Sequence, residues 1–283
     1  MPKIGAHVSA AVSLERSFDK ALEIGAECTQ IFISPPQQWL QTKHDEKEIE
    51  RYRKKAEETG IGPNFIHGTY LINLGTENPE HLKRSIEWLS FSLDLADRLN
   101  SQGVIFHLGS HKGLGFNAVL DQVVKALSHA LISSKSSSLI LETSAGAGGN
   151  IGGKFSELGK ILKAVGNKRV KIGLDTQHVF AAGYDIKTPM GLRTTLDEFE
   201  EEIGLTNLAI IHANDSKVEL GSGKDRHENI GEGFIRKEGF ANLINNKYLQ
   251  EVPFILEVPG FSGNGPDTDN VQILKSLRLL NSK

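Results

Sequence analysis

The feature that most constrains this chain is an alternation of short β-rich apolar runs with helix-like stretches. The runs are "KIGAHV" (3–8), "CTQIFI" (28–33), "NFIHG" (64–68), "GVIFHLG" (103–109), "SLILETS" (138–144), "VKIGLDT" (170–176), "LAIIHAND" (208–215) and "PFILEVPG" (253–260). Several are near-continuously apolar, the pattern of strands covered on both faces. Between them, "SLERSFDKALEIG" places Leu14, Phe18, Ala21 and Leu22 at helical spacing and stops at Gly25. "NPEHLKRSIEWLSFSLDLADRLN" has Pro79 near its start and Leu82, Ile86, Leu89, Leu93, Leu95 and Ala96 on one broad stripe. "FNAVLDQVVKALSHALI" and "KFSELGKILKAV" behave similarly, and the "SSKSSS" run (133–138) is too short for an interdomain linker. Eight βα units in 283 residues predict an α/β fold, a (β/α)8 TIM barrel forming one domain over 1–283. A doubly wound sheet with a dinucleotide site would need G-x-G-x-x-G directly after a strand. "GAGGNIGG" (146–153) does not keep that spacing and reads as a permissive backbone loop.

In such a barrel the carboxyl ends of all strands meet at one face, where catalytic residues gather. His67, His107, Glu142, Asp175, His212 and Glu257 stand at six strand ends, and His178, Asp225 and His227 lie just beyond. Any one of these alone reads as an ordinary hydrogen-bonded residue. Four carboxylates and five His on one face, with few Lys or Arg among them, are another matter. Buried carboxylates are costly unless paired or bound to a cation. Imidazole and carboxylate without thiolate suit zinc, iron or manganese and disfavour magnesium or calcium. Catalytic zinc takes three protein ligands and keeps one position open, so nine ligands divide into three metals, with a carboxylate such as Glu142 free to bridge two. Metals about 3.5–4 Å apart can clamp a phosphodiester for in-line attack.

Composition fits this picture. The net charge is −3, mildly against a nucleic-acid partner, but three divalent ions reverse its sign and concentrate positive charge at the mouth. A single cysteine, Cys28, excludes an intramolecular disulfide and fits a reducing compartment, the cytoplasm or, in a eukaryotic host, the nucleus. The start "MPKIGAHVSA" shows no secretory signal and no stretch reaches membrane-spanning length, so no membrane partner is expected.

The motifs "IGAHVSAA" (4–11), "YLINLG" (70–75), "HLGSH" (107–111), "LETSAGAGGNIG" (141–152), "LDTQHVFAAGYD" (174–185) and "HANDSKVELGSGKDRHENIGEG" (212–233), closed by "LE" at 256–257, resemble the endonuclease IV family nearly end to end. That resemblance implies a (β/α)8 barrel that is an apurinic/apyrimidinic endonuclease of base-excision repair, in the deoxyribonuclease IV, phage-T4-induced class. It implies three Zn2+ per chain, with Mn2+ or Fe in some members. Carried over, His67, His107 and Glu142 look like ligands of one metal, and Glu142, Asp175, His212 and Glu257 of a second, with Glu142 bridging. His178, Asp225 and His227 look like ligands of the third. Glu142 is the catalytic candidate. The implied substrate is double-stranded DNA with an abasic site, cut on its 5′ side to a 3′-hydroxyl and a 5′-deoxyribose phosphate by a monomer. Tyr70 and Leu71 match the family's inserted side chains. Gln37 stands where the family commonly has an inserted Arg, and Lys217 and Arg226 are candidate phosphate contacts.

His7 faces the same mouth, yet the family does not use it as a metal ligand. His44, His81, His111 and His129 read as solvated, with His111 in "HLGSH" also a candidate support for His107, and Cys28, Trp39 and Trp88 read as packing residues. Two rivals remain open. A metal-dependent sugar isomerase or epimerase uses the same type of barrel, with two metals at most, so the "DTQH" and "DRH" pair argues against it. A non-catalytic binder of damaged DNA would keep metals in closed sites, often with thiolates.

Overall fold

The computed structural model describes residues 1–278. In chain order the strands are β1 (Ile4–His7), β2 (Thr29–Phe32), β3 (Asn64–His67), β4 (Gly103–Phe106), β5 (Ser138–Glu142), β6 (Val170–Asp175), β7 (Leu208–His212), β8 (Asp215–Ser216), β9 (His227–Glu228) and β10 (Phe254–Leu256). All except β8 and β9 close into one parallel barrel in the order β1-β10-β7-β6-β5-β4-β3-β2. The predicted (β/α)8 architecture is therefore present, with every strand core inside its expected run. The two-residue β8 and β9 pair antiparallel in the long loop after β7.

The helices are α1 (Arg16–Ile24), α2 (Glu46–Thr59), α3 (Pro79–Leu99), α4 (Phe116–Ala130), α5 (Phe155–Val165), α6 (Thr176–Ala182), α7 (Pro189–Glu202), α8 (Arg236–Ile244) and α9 (Thr268–Ser276). Their starts follow from local chemistry. Asp45 accepts from the Glu48 N–H at α2, and Asn78 accepts from Glu80 and His81 N–H at α3, where Pro79 needs no acceptor. Gly25, at φ 75°, ends α1 in the left-handed conformation that a side chain resists. The expected stripe on α1 is wrong at one position: Leu22 is exposed, and Ile24 packs inward with Phe18 and Ala21. A residue directly after Ala21 is rotated by about 100°, away from the barrel, whereas Ile24 returns to it.

Among the described residues, no helix is long and apolar enough to cross a membrane. The serine run beyond α4 wraps the Asp97 carboxylate, which accepts from the N–H groups of Lys135, Ser136 and Ser137 and from two serine hydroxyls. It is a clamped turn that delivers the chain to β5.

At the opposite end of the barrel from the ligand candidates, Glu27 joins β1 to the segment at and after α9. Its carboxylate accepts from the Ile4 N–H at 2.8 Å and from the Arg278 guanidinium at 2.5 and 3.2 Å, with Lys275 Nζ at 3.3 Å. Burial alone would raise its pKa, but the Arg278 and Ile4 hydrogen bonds outweigh it and hold the carboxyl down at about 2. A depressed folded pKa gives stability that is present above the ordinary value of 4.5 and is lost as pH falls toward about 2. Unfolding across that pH range should therefore show wild type more stable than Glu27→Gln above pH 4.5. The difference should shrink steadily below that value.

Candidate metal centre

Successive strand residues point to opposite faces, so every second residue faces the barrel interior. Cys28, Phe65, Ile105, Ile140, Ile210 and Ile255 form an apolar plug there. Where β1 crosses the plug no side chain fits: a Cβ on Gly5 would lie 2.0 Å from the Cys28 carbonyl oxygen. Two residues beyond the plug layer, the eight strands present His7, Gln30, His67, His107, Glu142, Asp175, His212 and Glu257. One polar ring thus caps one apolar layer, and the six predicted strand-end ligands all belong to it.

Ligand-capable atoms within 4.8 Å of one another fall into three groups: His67, His107 and Glu142; Glu142, Asp175, His212 and Glu257; and Asp175, His178 and His227. Glu142 stands between the first two. Its Oε2 is 3.3 Å from His67 Nε2 and 3.5 Å from His107 Nε2, and its Oε1 is 3.0 Å from His212 Nδ1. Asp225 was expected beside His178 and His227, and it lies 3.3 and 3.4 Å from their Nε2 atoms. Asp175 also reaches this third group, 3.7 Å from His227 Nε2, which the strand-end rule did not reveal.

The second ring nitrogen of most of these His is tied to an acceptor. His67 Nδ1 donates to Gly68 O at 2.8 Å, His178 Nδ1 to Thr143 O at 2.9 Å and His227 Nδ1 to Glu257 O at 3.4 Å. His212 Nε2 donates to Gln30 Oε1 at 2.8 Å. A carbonyl oxygen only accepts, so that nitrogen carries a proton, and whenever the imidazole is neutral its lone pair is on the other nitrogen, facing the cluster. Carboxylates are held too. Asn214 Nδ2 donates to Asp175 Oδ2 at 2.6 Å while its Oδ1 accepts the Glu257 N–H at 2.9 Å.

Electrostatics point the same way. Burial penalises the Glu142 charge, yet His107 and His212 hold its carboxyl well below the usual range. Burial disfavours His212 as a cation, but Glu257 and Glu142 raise it to about 9. Asp225, opposed by burial but facing His178, is held at about 2. His107, by contrast, is lowered, chiefly by burial. Among the described residues, no Lys or Arg nitrogen comes within 4.0 Å of the Glu142, Asp175, Asp225 or Glu257 carboxylates. The buried His227 Nε2 has no hydrogen-bond partner. A concentration of anions whose nearby cationic partners, among the described residues, are imidazoles alone, with a bare nitrogen aimed among them, suits divalent metal ions.

A family model described as xylose isomerase-like TIM barrel matches residues 18–283. A probable endonuclease 4 of Halothermothrix orenii is 37% identical, with 96% of this chain and 99% of that protein covered. The crystal structure of endonuclease IV from Thermus thermophilus superposes with a TM-score of 0.87 at 29% identity, covering 98% of each chain. The chain belongs to the endonuclease IV family. A D-tagatose 3-epimerase-like protein shares the fold at 22% identity, with a TM-score of 0.73 and 97% and 96% of the two chains covered.

In this family member the remaining predicted residues occupy the rim. Tyr70 is exposed and stands over the ring, its centroid 5.8 Å from His67 and 6.5 Å from His107. Leu71 is half-buried beside it, and Gln37, Lys217 and Arg226 are exposed on neighbouring loops. His7 is packed against Glu257, Nδ1 to Oε1 at 3.1 Å, and burial lowers its pKa. The expectation that His44 and His81 are solvated fails. His44 bridges Glu48 and the Ile33 carbonyl, and His81 donates to the Leu71 carbonyl, so both brace loops at the rim.

One residue the strand-end pattern passed over holds the loop that carries Asp225 and His227. The buried Asp215 carboxylate accepts from the N–H groups of Ser216, Gly231, Gly233, Ile235 and Arg236 at 2.7 to 3.4 Å. Gly233 is required for that approach, since a Cβ there would lie 2.4 Å from the Ser216 carbonyl oxygen. Asp215→Ala leaves several buried N–H groups without an acceptor, at a cost of about 3 kcal/mol or more. Amide exchange at Gly231, Gly233 and Ile235 should accelerate in this variant well before exchange in β4 and β5 does.

Proposed function

We propose that this chain is a metal-dependent endonuclease that cuts duplex DNA on the 5′ side of an abasic site. The observation that carries the reading is the set of ligand groups joined at Glu142 and balanced only by imidazoles. His67, His107 and Glu142 would hold one ion, Glu142, Asp175, His212 and Glu257 a second, and His178, Asp225 and His227 a third, zinc or in part manganese or iron. When bound, such ions supply Lewis-acid charge for a phosphodiester and acidify water.

The chain's own side chains set the rest. The two Glu142 oxygens face different ligand groups, so this one carboxylate could serve ions in both. Beside the ring a cavity of about 910 Å3, lined by Ser9, Phe32, Tyr70, His227 and Glu257, offers room for an extruded sugar phosphate. Water oxygen attacks phosphorus, and the bond from phosphorus to the 3′ oxygen of the preceding nucleotide breaks. That oxygen takes up a proton, leaving a 3′-hydroxyl and a 5′-deoxyribose phosphate. A thiol nucleophile is excluded: Cys28 is buried beneath the ring, and burial pushes its pKa up to about 12. Tyr70 and Leu71 reach outward from the ring and would fill the gap left by the missing base, while Lys217, Arg226 and Gln37 would meet the backbone.

A labelled duplex with one abasic-site analogue, incubated with protein of measured metal content, tests this reading. Cleavage with a 3′-hydroxyl end, lost with chelator and restored by zinc or manganese, is expected. Bound metal without cleavage would favour the sugar epimerase chemistry of the same barrel type. Glu142→Ala should lower cleavage by about a thousandfold or more with the barrel still folded by circular dichroism. The double variant Tyr70→Ala, Leu71→Ala should weaken binding to abasic duplex about tenfold while leaving intact duplex little changed.

A further inference from the structure

We infer that Gln30 is a positioning residue of the metal centre, selecting which nitrogen of His212 and which oxygen of Glu257 are free to bind a cation. The inference rests on the metal reading above. Gln30 is fully buried on β2, inside the barrel, and its amide touches three members of the polar ring. Its Nε2 lies 2.5 Å from Glu257 Oε1 and 2.9 Å from His7 Nδ1, and its Oε1 lies 2.8 Å from His212 Nε2.

The orientation of that amide follows from its neighbours. An ionised carboxylate only accepts, so the amide end facing Glu257 is the NH2 group. The carbonyl end then faces His212, which obliges Nε2 to carry the proton. In the neutral imidazole that would bind a cation, the lone pair is then on Nδ1, the atom that lies 3.0 Å from Glu142 Oε1 and 3.2 Å from Glu257 Oε2. The same amide engages Glu257 Oε1, leaving Oε2 on the cluster side. One neutral side chain thereby aims two ligands of a single group, that of Glu142, Asp175, His212 and Glu257.

Among the described ligand candidates, His212 is the one whose second nitrogen rests on a side-chain carbonyl. His67, His178 and His227 reach main-chain carbonyls, which no substitution removes. His212 depends on a side chain, and a chain lacking an amide at this position would orient that imidazole some other way. Gln30→Met keeps roughly the same volume but removes both the acceptor and the donor. Gln30→Glu keeps an acceptor for His212 and sets a carboxylate against Glu257.

The test uses protein with 15N-labelled His, wild type and both variants, with zinc as the probe. In wild type, His212 Nε2–H should appear as a slowly exchanging proton with or without zinc, and metal-bound nitrogen should be Nδ1. In Gln30→Met that proton should be lost, and one zinc should yield to competing chelator about 10- to 100-fold more readily than in wild type, with the other ions retained. Gln30→Glu should keep the Nε2–H signal yet still lose affinity at that one site, and it carries the test should the Met variant fail to fold. An unchanged Nε2–H signal and unchanged zinc retention in Gln30→Met, or unchanged retention in a folded Gln30→Glu, overturn the assignment. Wild-type protein that binds no zinc overturns the metal reading instead, and the inference with it.

Discussion

Glu142 is the group on which this site turns. It is buried, ionised and close to four imidazoles, His67, His107, His178 and His212. A buried carboxylate needs hydrogen-bond donors or positive charge at its oxygens, and the groups that reach those of Glu142 are imidazoles. Imidazolium can provide part of that charge, at the cost of burying further cations beside Asp175 and Glu257. Divalent ions provide it while leaving each imidazole neutral, which is the state that the fixed N–H groups of His67, His178, His212 and His227 prepare.

The barrel makes such a group possible. Its interior is filled by Phe65, Ile105, Ile140, Ile210, Ile255 and Cys28, which keep water from the ring's underside. Closure brings β1 beside β10 and lets His7 and Gln30 meet Glu257, residues more than two hundred positions apart in sequence. The loop after β7 is less constrained by the barrel, so it is pinned by Asp215 and by the short β8–β9 pairing, which sets His227 opposite Ser216. Rigid strands hold one set of candidate ligands, and a carboxylate nest holds the loop that brings the others.

The sequence made the strands and the ring legible because both obey simple periods. Eight apolar runs mark the strands, and metal-capable residues at their ends mark the mouth. What remained hidden has a common physical cause. Gln30 and Asn214 are neither charged nor ligand types, so only their partners reveal that they hold Glu257, His212 and Asp175. The signal for Gln30 was an amide inside the apolar run "CTQIFI", two residues past a buried cysteine, where the pleat turns it inward. Asp215 looked like one more acid in a loop rich in them, since a carboxylate that accepts only backbone N–H groups leaves no trace in residue spacing. His44 and His81 were misplaced for the complementary reason: their acceptors, Glu48 and the carbonyls of Ile33 and Leu71, belong to loops whose path the sequence does not specify.

Charge at the rim is scattered over separate loops. A chain with a net charge of −3 has little general attraction for a polyanion. The loops around the mouth carry Lys43, Lys112, Lys154, Lys217, Lys224 and Arg226, of which Lys217 lies 3.7 Å from Glu228. They also expose apolar side chains, Val12, Leu40, Tyr70, Leu114, Leu220 and Phe261. Such groups gain little from a phosphate backbone and much from a gap in a base stack, where they replace the lost stacking partner. Discrimination in this chain would then lie less in long-range attraction than in local fit. On the proposed function, an intact duplex would offer the apolar rim nothing to fill, whereas a missing base would open a cavity beside the ring of candidate ligands.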